Sequence, residues 1–280
     1  MRPRAIVAGV LIFVLGVLLG VLATRHWFSD ELLTAEERLA KQGKSEPENW
    51  PPREFNSSAG WTFLKVDESG WSTGPVGSFQ NLDERLARPV SSGQEIVIPI
   101  FPTVYTPLMA DKPYYDAILE NDIKPGNKVL VIGTGSGADA WVASLKSKSP
   151  VYVVEINPMA IANARATARL GNFQIKAVTG DITNVKLPED FHDFDFVLWN
   201  MPFVWKKGRM EATKGRIENN NFYDGDDGTI LKKFLTLLPS LLKKGGKAII
   251  LNGPPATEML ATHGTMTKSN QNCVLFVIPN

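Results

Sequence analysis

A short apolar run that ends in a glycine-rich turn is the feature that most constrains the fold of this chain. Lys128 to Ala140 has the sequence KVLVIGTGSGADA, in which Val129 to Ile132 leads directly into Gly133-x-Gly135-x-Gly137. A β-branched run of this length predicts a buried strand of a parallel sheet, followed by a helix. Glycines let the backbone turn tightly and approach a ligand that a Cβ atom would exclude. In open α/β sheets such turns lie at the carboxyl ends of strands, where nucleotides bind.

From Tyr114 onward, strand and helix patterns alternate along the chain. This alternation predicts an α/β fold with a parallel sheet and helices on its faces. The predicted strands are 128–132, 151–155, 174–178, 194–199, 247–251 and 273–278. The predicted helices are 114–121, 138–145, 158–170 and 229–243, the last of them ending at a glycine stop, Gly245-Gly246.

The amino-terminal region predicts a membrane anchor. Ala5 to Ala23 contains only apolar residues and glycine, and roughly 20 such residues in a helix span a bilayer core of about 30 Å. A single-pass anchor over residues 1–25 is the preferred interpretation, and a cleaved signal peptide is the alternative. The spacing of Gly16 and Gly20 allows weak pairing of such helices. The Lys and Arg residues after the segment favour a cytoplasmic position for the rest of the chain.

Three further segments follow the predicted anchor. Residues 26–53 predict a juxtamembrane helix and linker, 54–103 a small β-rich cap with a tryptophan mini-core (Trp50, Trp61, Trp71), and 104–280 the main domain. The formal net charge of +1 gives no strongly basic surface for nucleic acid. Three scattered histidines and a single cysteine form no zinc-ligand set. We therefore expect no metal site.

Carboxylates follow the next two predicted strands of the main domain. Glu155 ends the apolar run VYVV, 18 positions after Gly137, and could accept hydrogen bonds from both hydroxyls of a ribose. Asp181 and Ile182 follow the third strand, where a carboxylate and a neighbouring amide could contact an adenine edge. For Asp181 a simple turn residue is the alternative.

The fourth strand of the domain ends in Asn200-Met201-Pro202-Phe203. The Asn200 side chain and the Met201 backbone offer two carbonyl acceptors for the hydrogens of a planar –NH2 group. Phe203 offers an aromatic face for its plane, and Pro202 fixes the turn. The group predicts a site that binds a planar nitrogen beside the glycine-rich turn.

Taken in order, VLVIGTGSGADA, VYVVEINPMAIANA, GDI and LWNMPF resemble the motifs of class I S-adenosylmethionine (SAM) dependent methyltransferases. The likeness is greatest to the release-factor glutamine N5-methyltransferases, whose Asn-Pro-Pro-Tyr/Phe signature LWNMPF resembles. The segments 104–119 and 222–251 also resemble this family, so the likeness covers about half of the chain. It implies a Rossmann-like sheet with helices on both faces, SAM as cofactor and methyl transfer to an amide or amino nitrogen. The acceptor would be a protein side chain, a nucleic-acid base or a small molecule, with nucleic acid the less favoured.

The resemblance also implies roles for individual residues. The cofactor would contact a set that begins in the glycine-rich turn and follows the strand ends: Gly133, Thr134, Gly135, Gly137, Glu155, Ile156, Asp181, Ile182 and Asn200. The acceptor would be held by Asn200, Met201, Pro202 and Phe203. The sequence departs from the family at Val131, where an acidic residue is usual, and at Met201, where proline is usual.

Two other functions remain open at the level of sequence. Val131 and Met201 are compatible with a degenerate methyltransferase fold that serves only as an anchored binding module. Gly133-x-Gly135-x-x-Ala138 also fits a nicotinamide-binding fingerprint loosely, as in an NAD-dependent oxidoreductase, but that function leaves Asn200 to Phe203 without a role.

Overall fold

Two β-sheets form the framework of the protein in the computed structural model, which describes residues 60–76, 94–201, 228–253, 256–269 and 274–280. The strands are β1 (Gly60–Asp67), β2 (Gly70–Val76), β3 (Gln94–Ile100), β4 (Val129–Ile132), β5 (Val151–Glu155), β6 (Ile175–Thr179), β7 (Phe194–Asn200), β8 (Leu242–Asn252), β9 (Thr265–Ser269) and β10 (Val274–Pro279). The helices are α1 (Lys112–Glu120), α2 (Ala138–Ser147), α3 (Pro158–Leu170), α4 (Thr229–Leu241) and α5 (Thr257–Ala261). A 3-10 turn, Met109–Asp111, precedes α1.

The predicted anchor and linker lie outside the described residues, as do Trp50, Pro202 and Phe203. Within the ranges that the structure describes, no helix is both long and apolar enough to cross a bilayer.

The larger sheet has seven strands in the order β6-β5-β4-β7-β8-β10-β9. Strands β4 to β8 pair in parallel, and β10 is antiparallel to both of its neighbours. β4 lies between β5 and β7, because the chain reverses its direction of travel across the sheet at this point. The loops after β4, β5 and β7 therefore meet at one edge, which is where such sheets bind ligands.

Alternate residues of β4 face opposite sides of the sheet. Val129 and Val131 belong to a buried cluster that includes α1, α2 and α3, whereas Leu130 and Ile132 belong to a second cluster that includes α4 and α5. All four side chains are buried. The apolar run of β4 thus faces two cores, which confirms a Rossmann-like sheet with helices on both faces.

The smaller sheet, β2-β1-β3, is antiparallel and packs on the main domain. Trp71 stacks on Tyr115 of α1 with ring centroids 4.0 Å apart, and its backbone N–H donates to Asp116. The expectation of a separate tryptophan mini-core is therefore wrong for Trp71, which joins the main core. Trp61 is partly buried in a small satellite cluster instead.

The carboxyl-terminal part of the sheet differs from the prediction in the boundaries of α4, β8 and β10 and in two further elements. Helix α4 ends at Leu241 rather than at residue 243, because Leu242 is buried and pairs with Phe194 as the first residue of β8. Gly245 and Gly246 lie where the register of β7 and β8 shifts, so they form an irregularity of the strand rather than a helix stop. Helix α5 and strand β9 were not predicted.

Candidate active site

The glycine-rich turn has the backbone conformation that its sequence predicts. Gly133, Gly135 and Gly137 all have positive φ, at 64°, 53° and 85°, which side chains other than glycine rarely adopt. A Cβ atom on Gly137 would lie 2.9 Å from Cα of Ala164 in α3. Gly137 thus also permits close packing of the turn against α3.

Glu155 connects the end of β5 to this turn. The backbone N–H of Gly135 donates to its Oε2 at 3.0 Å, and that of Asn157 donates to its Oε1 at 2.8 Å. Burial raises the pKa of Glu155, while these backbone hydrogen bonds oppose the rise. The buried carboxylate therefore fixes the turn. It lies at the end of β5, where a carboxylate that binds ribose hydroxyls is predicted.

Asn200 lies at the end of β7, where its side chain is held by a residue far away in sequence. Its Nδ2 donates to Oδ1 of Asp111 at 3.2 Å. Oδ2 of Asp111 accepts from the Tyr105 hydroxyl at 3.1 Å and from the Leu108 backbone at 2.9 Å. Because a carboxylate accepts only from the amide nitrogen, the contact leaves Oδ1 of Asn200 as an acceptor for another partner.

A third carboxylate, Asp139, lies at the start of α2. Its Oδ1 accepts from the Thr134 hydroxyl at 2.9 Å and from the Ala140 backbone at 2.8 Å. Burial, with a smaller contribution from the charge of Glu155, raises the pKa of Asp139 to about 7, although these hydrogen bonds oppose the rise. Thr134 is predicted to contact a cofactor, and its hydroxyl donates to Asp139.

Asp111, Asp139 and Glu155 are each at most 5% exposed. Within the described residues, the ion pairs that Lys, Arg or His form include none of the three. Burying a carboxylate without a cationic partner is unfavourable. Such groups are therefore commonly found where a positively charged ligand binds. Glu155 and Asp139 contact the glycine-rich turn directly, so the turn suits a nucleotide-like ligand that carries positive charge.

The remaining predicted residues have mixed environments. Asp181 accepts from both the backbone N–H and the hydroxyl of Thr183, as in a simple turn. Ile182 buries its side chain in the core, so that only its backbone could face an adenine. Ile156 is 39% exposed beside Glu155, and could cover a flat apolar ring. Met201 is buried, and its N–H donates to the Leu251 carbonyl at 2.9 Å.

Comparison with known proteins decides the family. A family model described as a methyltransferase domain matches residues 123–277, which is more than half of the chain. The chain belongs to the class I SAM-dependent methyltransferases. Members of this class bind SAM, and the family assignment favours neither a binding module nor an NAD-dependent oxidoreductase.

Three curated proteins are similar to this methyltransferase. It is 33% identical over 162 residues to the "Putative protein N5-glutamine methyltransferase" of Methanocaldococcus jannaschii, covering 56% of this chain and 75% of that protein. It is 29% identical to the release factor glutamine methyltransferase of Corynebacterium glutamicum and to the human methyltransferase HEMK2, covering 42% of this chain in both comparisons. The match spans about half of these two relatives, at 44% and 55% of their lengths.

Two solved structures share the fold. They are the ribosomal protein L11 methylase of Lactobacillus delbrueckii (TM-score 0.50, 18% identity, covering 69% of this chain and 90% of that one) and the Thermus thermophilus 16S rRNA N2 G1207 methyltransferase (TM-score 0.52, 17% identity, 69% and 49%). At this identity the likeness concerns the fold alone.

The site of the methyltransferase suits SAM in the backbone conformation of its turn and in its charge. The positive φ angles of the turn leave room for close approach of a ligand, and the buried carboxylates suit a cofactor that carries sulfonium and ammonium groups. Sequence reasoning gave Asp111 and Asp139 no role. Asp139 could have been noticed as the one charged residue in the small and apolar run ADAWVASL, whereas nothing local distinguishes Asp111.

Proposed function

We propose that this methyltransferase transfers a methyl group from SAM to the side-chain amide nitrogen of a glutamine in a protein. The observation that carries the proposal is the hydrogen bond from Nδ2 of Asn200 to Asp111, which leaves Oδ1 of Asn200 as an acceptor at the end of β7. The relative from M. jannaschii, named as an N5-glutamine methyltransferase, and the release factor enzyme of C. glutamicum support this acceptor.

An amide nitrogen is a poor nucleophile, because its lone pair is delocalised into the carbonyl group. Oδ1 of Asn200 and the backbone carbonyl of Met201 would each accept one hydrogen of the acceptor –NH2, which favours the pyramidal form of the nitrogen. These acceptors also stabilise the positive charge that develops as the nitrogen forms its new bond. When bound, SAM supplies a methyl group on a positively charged sulfur. The methyl–sulfur bond of SAM would break as the methyl–nitrogen bond forms, S-adenosylhomocysteine would leave, and the methylated amide would release one proton to water.

Asp111 would act as a positioning residue in this reaction. Hydrogen bonds from three groups, in Asn200, Tyr105 and Leu108, hold the carboxylate in one orientation. That orientation in turn selects the rotamer and the amide orientation of Asn200. Preorganised acceptors of this kind need no rearrangement at the moment of reaction.

The test is transfer of an isotope-labelled methyl group. The full chain is incubated with deuterated-methyl SAM and with extracts of cells that lack this methyltransferase. Mass spectrometry then locates the label. We expect label on glutamine side chains with wild-type protein and none with Asn200→Ala. Asn184→Ala, an exposed asparagine in the loop after β6, is the matched control and should label like wild type. Label on carboxylates or nucleobases would contradict the proposed acceptor.

We also propose that Ala5 to Ala23 anchors the enzyme in a membrane with the methyltransferase domain in the cytoplasm. Its uninterrupted apolar sequence supports this location. In membranes washed with alkaline carbonate, the full chain should remain in the pellet, while a variant without residues 1–25 should be released. Recovery of the intact chain in the wash, or of a shortened chain that indicates a cleaved signal, would contradict the proposal.

A further inference from the structure

Asp139 is a buried carboxylate with no role in the reaction described above. It is 4% exposed, and both of its hydrogen bonds, from Thr134 and Ala140, reach Oδ1. Within the described part of the chain, no hydrogen bond reaches Oδ2. Both bonds therefore hold Oδ1, and Oδ2 takes no part in fixing the carboxylate at the base of the glycine-rich turn.

The groups around Asp139 do not neutralise it. Glu155 on β5 acts on it as a like charge. On α1, burial raises the pKa of Tyr114 and Tyr115 well above the ordinary value, and the charges of Asp139 and Asp111 raise both further. These two tyrosines therefore stay uncharged. A carboxylate buried among acidic and neutral groups is unfavourable unless a cation reaches it.

We propose that Asp139 is the countercharge for the positively charged methionine end of SAM. The inference rests on the proposed function only in requiring SAM in the same turn. The family resemblance predicts an acidic residue at position 131, where this chain has a fully buried valine. Asp139 would supply that acidic group from a different position. Val131 and the two tyrosines near Asp139 belong to the same core cluster, so both positions face one side of the sheet.

The position of Asp139 suits this role. It is the second residue of α2, where the positive end of the helix dipole and the Ala140 N–H favour a carboxylate. Its bond to Thr134 connects it directly to the turn between Gly133 and Gly135. A ligand cation there would pair with a carboxylate whose hydrogen-bond donors in the protein, Thr134 and Ala140, are both uncharged.

The proposal implies that SAM affinity depends on pH. The pKa of Asp139 in the empty protein is about 7, so part of the population is protonated at neutral pH. A cation favours the ionised form and lowers this pKa, so that binding releases protons near neutrality. The affinity should therefore rise between pH 6 and pH 8. Glu155 and Asp111, whose pKa values burial also raises, would contribute to the same trend.

Calorimetric titration of the full chain distinguishes the charge of Asp139 from its structural role. The probes are SAM and 5′-methylthioadenosine. The second probe has the same adenosine and sulfur but lacks both the sulfonium charge and the ammonium group of SAM. Asp139→Asn should weaken SAM binding at pH 8 about tenfold or more and change binding of the neutral probe less than about twofold. Titrations in two buffers of different ionisation enthalpy should show fewer protons released by the variant at pH 7. Asp122→Asn, an exposed aspartate, is the matched control.

Thermal melting gives a second readout that a structural residue would not produce. An acid whose pKa is raised by folding destabilises the protein as the pH rises from about 4 to about 7. Empty Asp139→Asn protein should therefore melt at the same temperature as wild type at pH 8, or a few degrees higher. Unchanged SAM affinity, or equal loss for both probes, would overturn the inference while leaving the proposed function intact. Failure of wild type itself to bind SAM would overturn both.

Discussion

The two halves of the site are built in different ways. In the cofactor half, Glu155 binds the backbone of Gly135, only 20 residues earlier in the chain, and joins two consecutive strand ends. In the acceptor half, Asn200 depends on Asp111, which is 89 residues away. The bond from Gly135 to Glu155 joins a backbone group to a side chain, whereas the bond from Asn200 to Asp111 joins two side chains.

This difference has consequences for how each half tolerates substitution. A turn held by backbone hydrogen bonds keeps its shape when a neighbouring side chain changes. A side-chain amide that depends on one carboxylate for its orientation can rotate by about 180° when that carboxylate is lost. We therefore expect the two halves to be separable, with cofactor affinity set by one and turnover by the other.

Asn200→Ala should have the largest effect. It removes an acceptor that acts on the reacting nitrogen, and losing one preorganised group of this kind commonly reduces kcat about 10²–10³-fold. The dissociation constant for SAM should stay within about twofold of wild type. Release of S-adenosylhomocysteine measures turnover and calorimetry measures binding, with Asn184→Ala as the control.

Glu155→Gln should be next, and it tests the cofactor half. The substitution keeps the volume but removes the charge and one of the two oxygens that accept from Gly135 and Asn157. Hydrogen bonds to charged groups contribute about 1.5–3 kcal/mol, which corresponds to a roughly 10–100-fold weaker affinity for SAM. Glu189→Gln, at an exposed position, should bind SAM normally. Equal affinity in Glu155→Gln and wild type would show that Glu155 serves only the turn.

Asp111→Asn should reduce kcat about tenfold, because Asn200 loses the acceptor that fixes its orientation. Burial raises the pKa of Asp111, so protonation in wild type should lower kcat at a pH above the ordinary carboxyl range. The variant should lack this acidic limb of the pH profile. In a double-mutant cycle, adding Asp111→Asn to Asn200→Ala should lower kcat little further. Additive losses would show that Asp111 acts independently of Asn200.

Thr134→Val should have the smallest effect, about threefold on SAM affinity. It removes only the hydroxyl that donates to Asp139, whose Oδ1 keeps the Ala140 backbone bond. Turnover at saturating SAM should not change. A fall in kcat without a change in SAM affinity would show that Thr134 belongs to the acceptor half of the site rather than to the cofactor half.

The sequence was sufficient for those parts that depend on local patterns. Strand β5 and helix α3 have the predicted bounds, because an apolar run and a proline-started helix are marked by neighbouring residues. The parts that depend on distant contacts were missed. The end of α4 is set by pairing of Leu242 with Phe194, and Trp71 joins the main core by stacking on Tyr115.

The same distinction applies within the site. The glycine-rich turn and Glu155 could be predicted because the turn directly follows β4 and Glu155 is the last residue of β5. The orientation of Asn200 could not, because it depends on Asp111 in a turn that no periodic pattern connects to β7. Asp139 needed the structure for another reason, since burial and the lack of a cation are invisible in the sequence.

The most direct test measures both quantities on the same preparations of wild type, Asn200→Ala and Glu155→Gln. SAM affinity is determined by calorimetry, and turnover at saturating SAM by methylation of a glutamine-containing acceptor. We expect Asn200→Ala to lose turnover and keep affinity, and Glu155→Gln to lose affinity and keep most of its turnover. Loss of both quantities in both variants would contradict the division of the site into cofactor and acceptor halves.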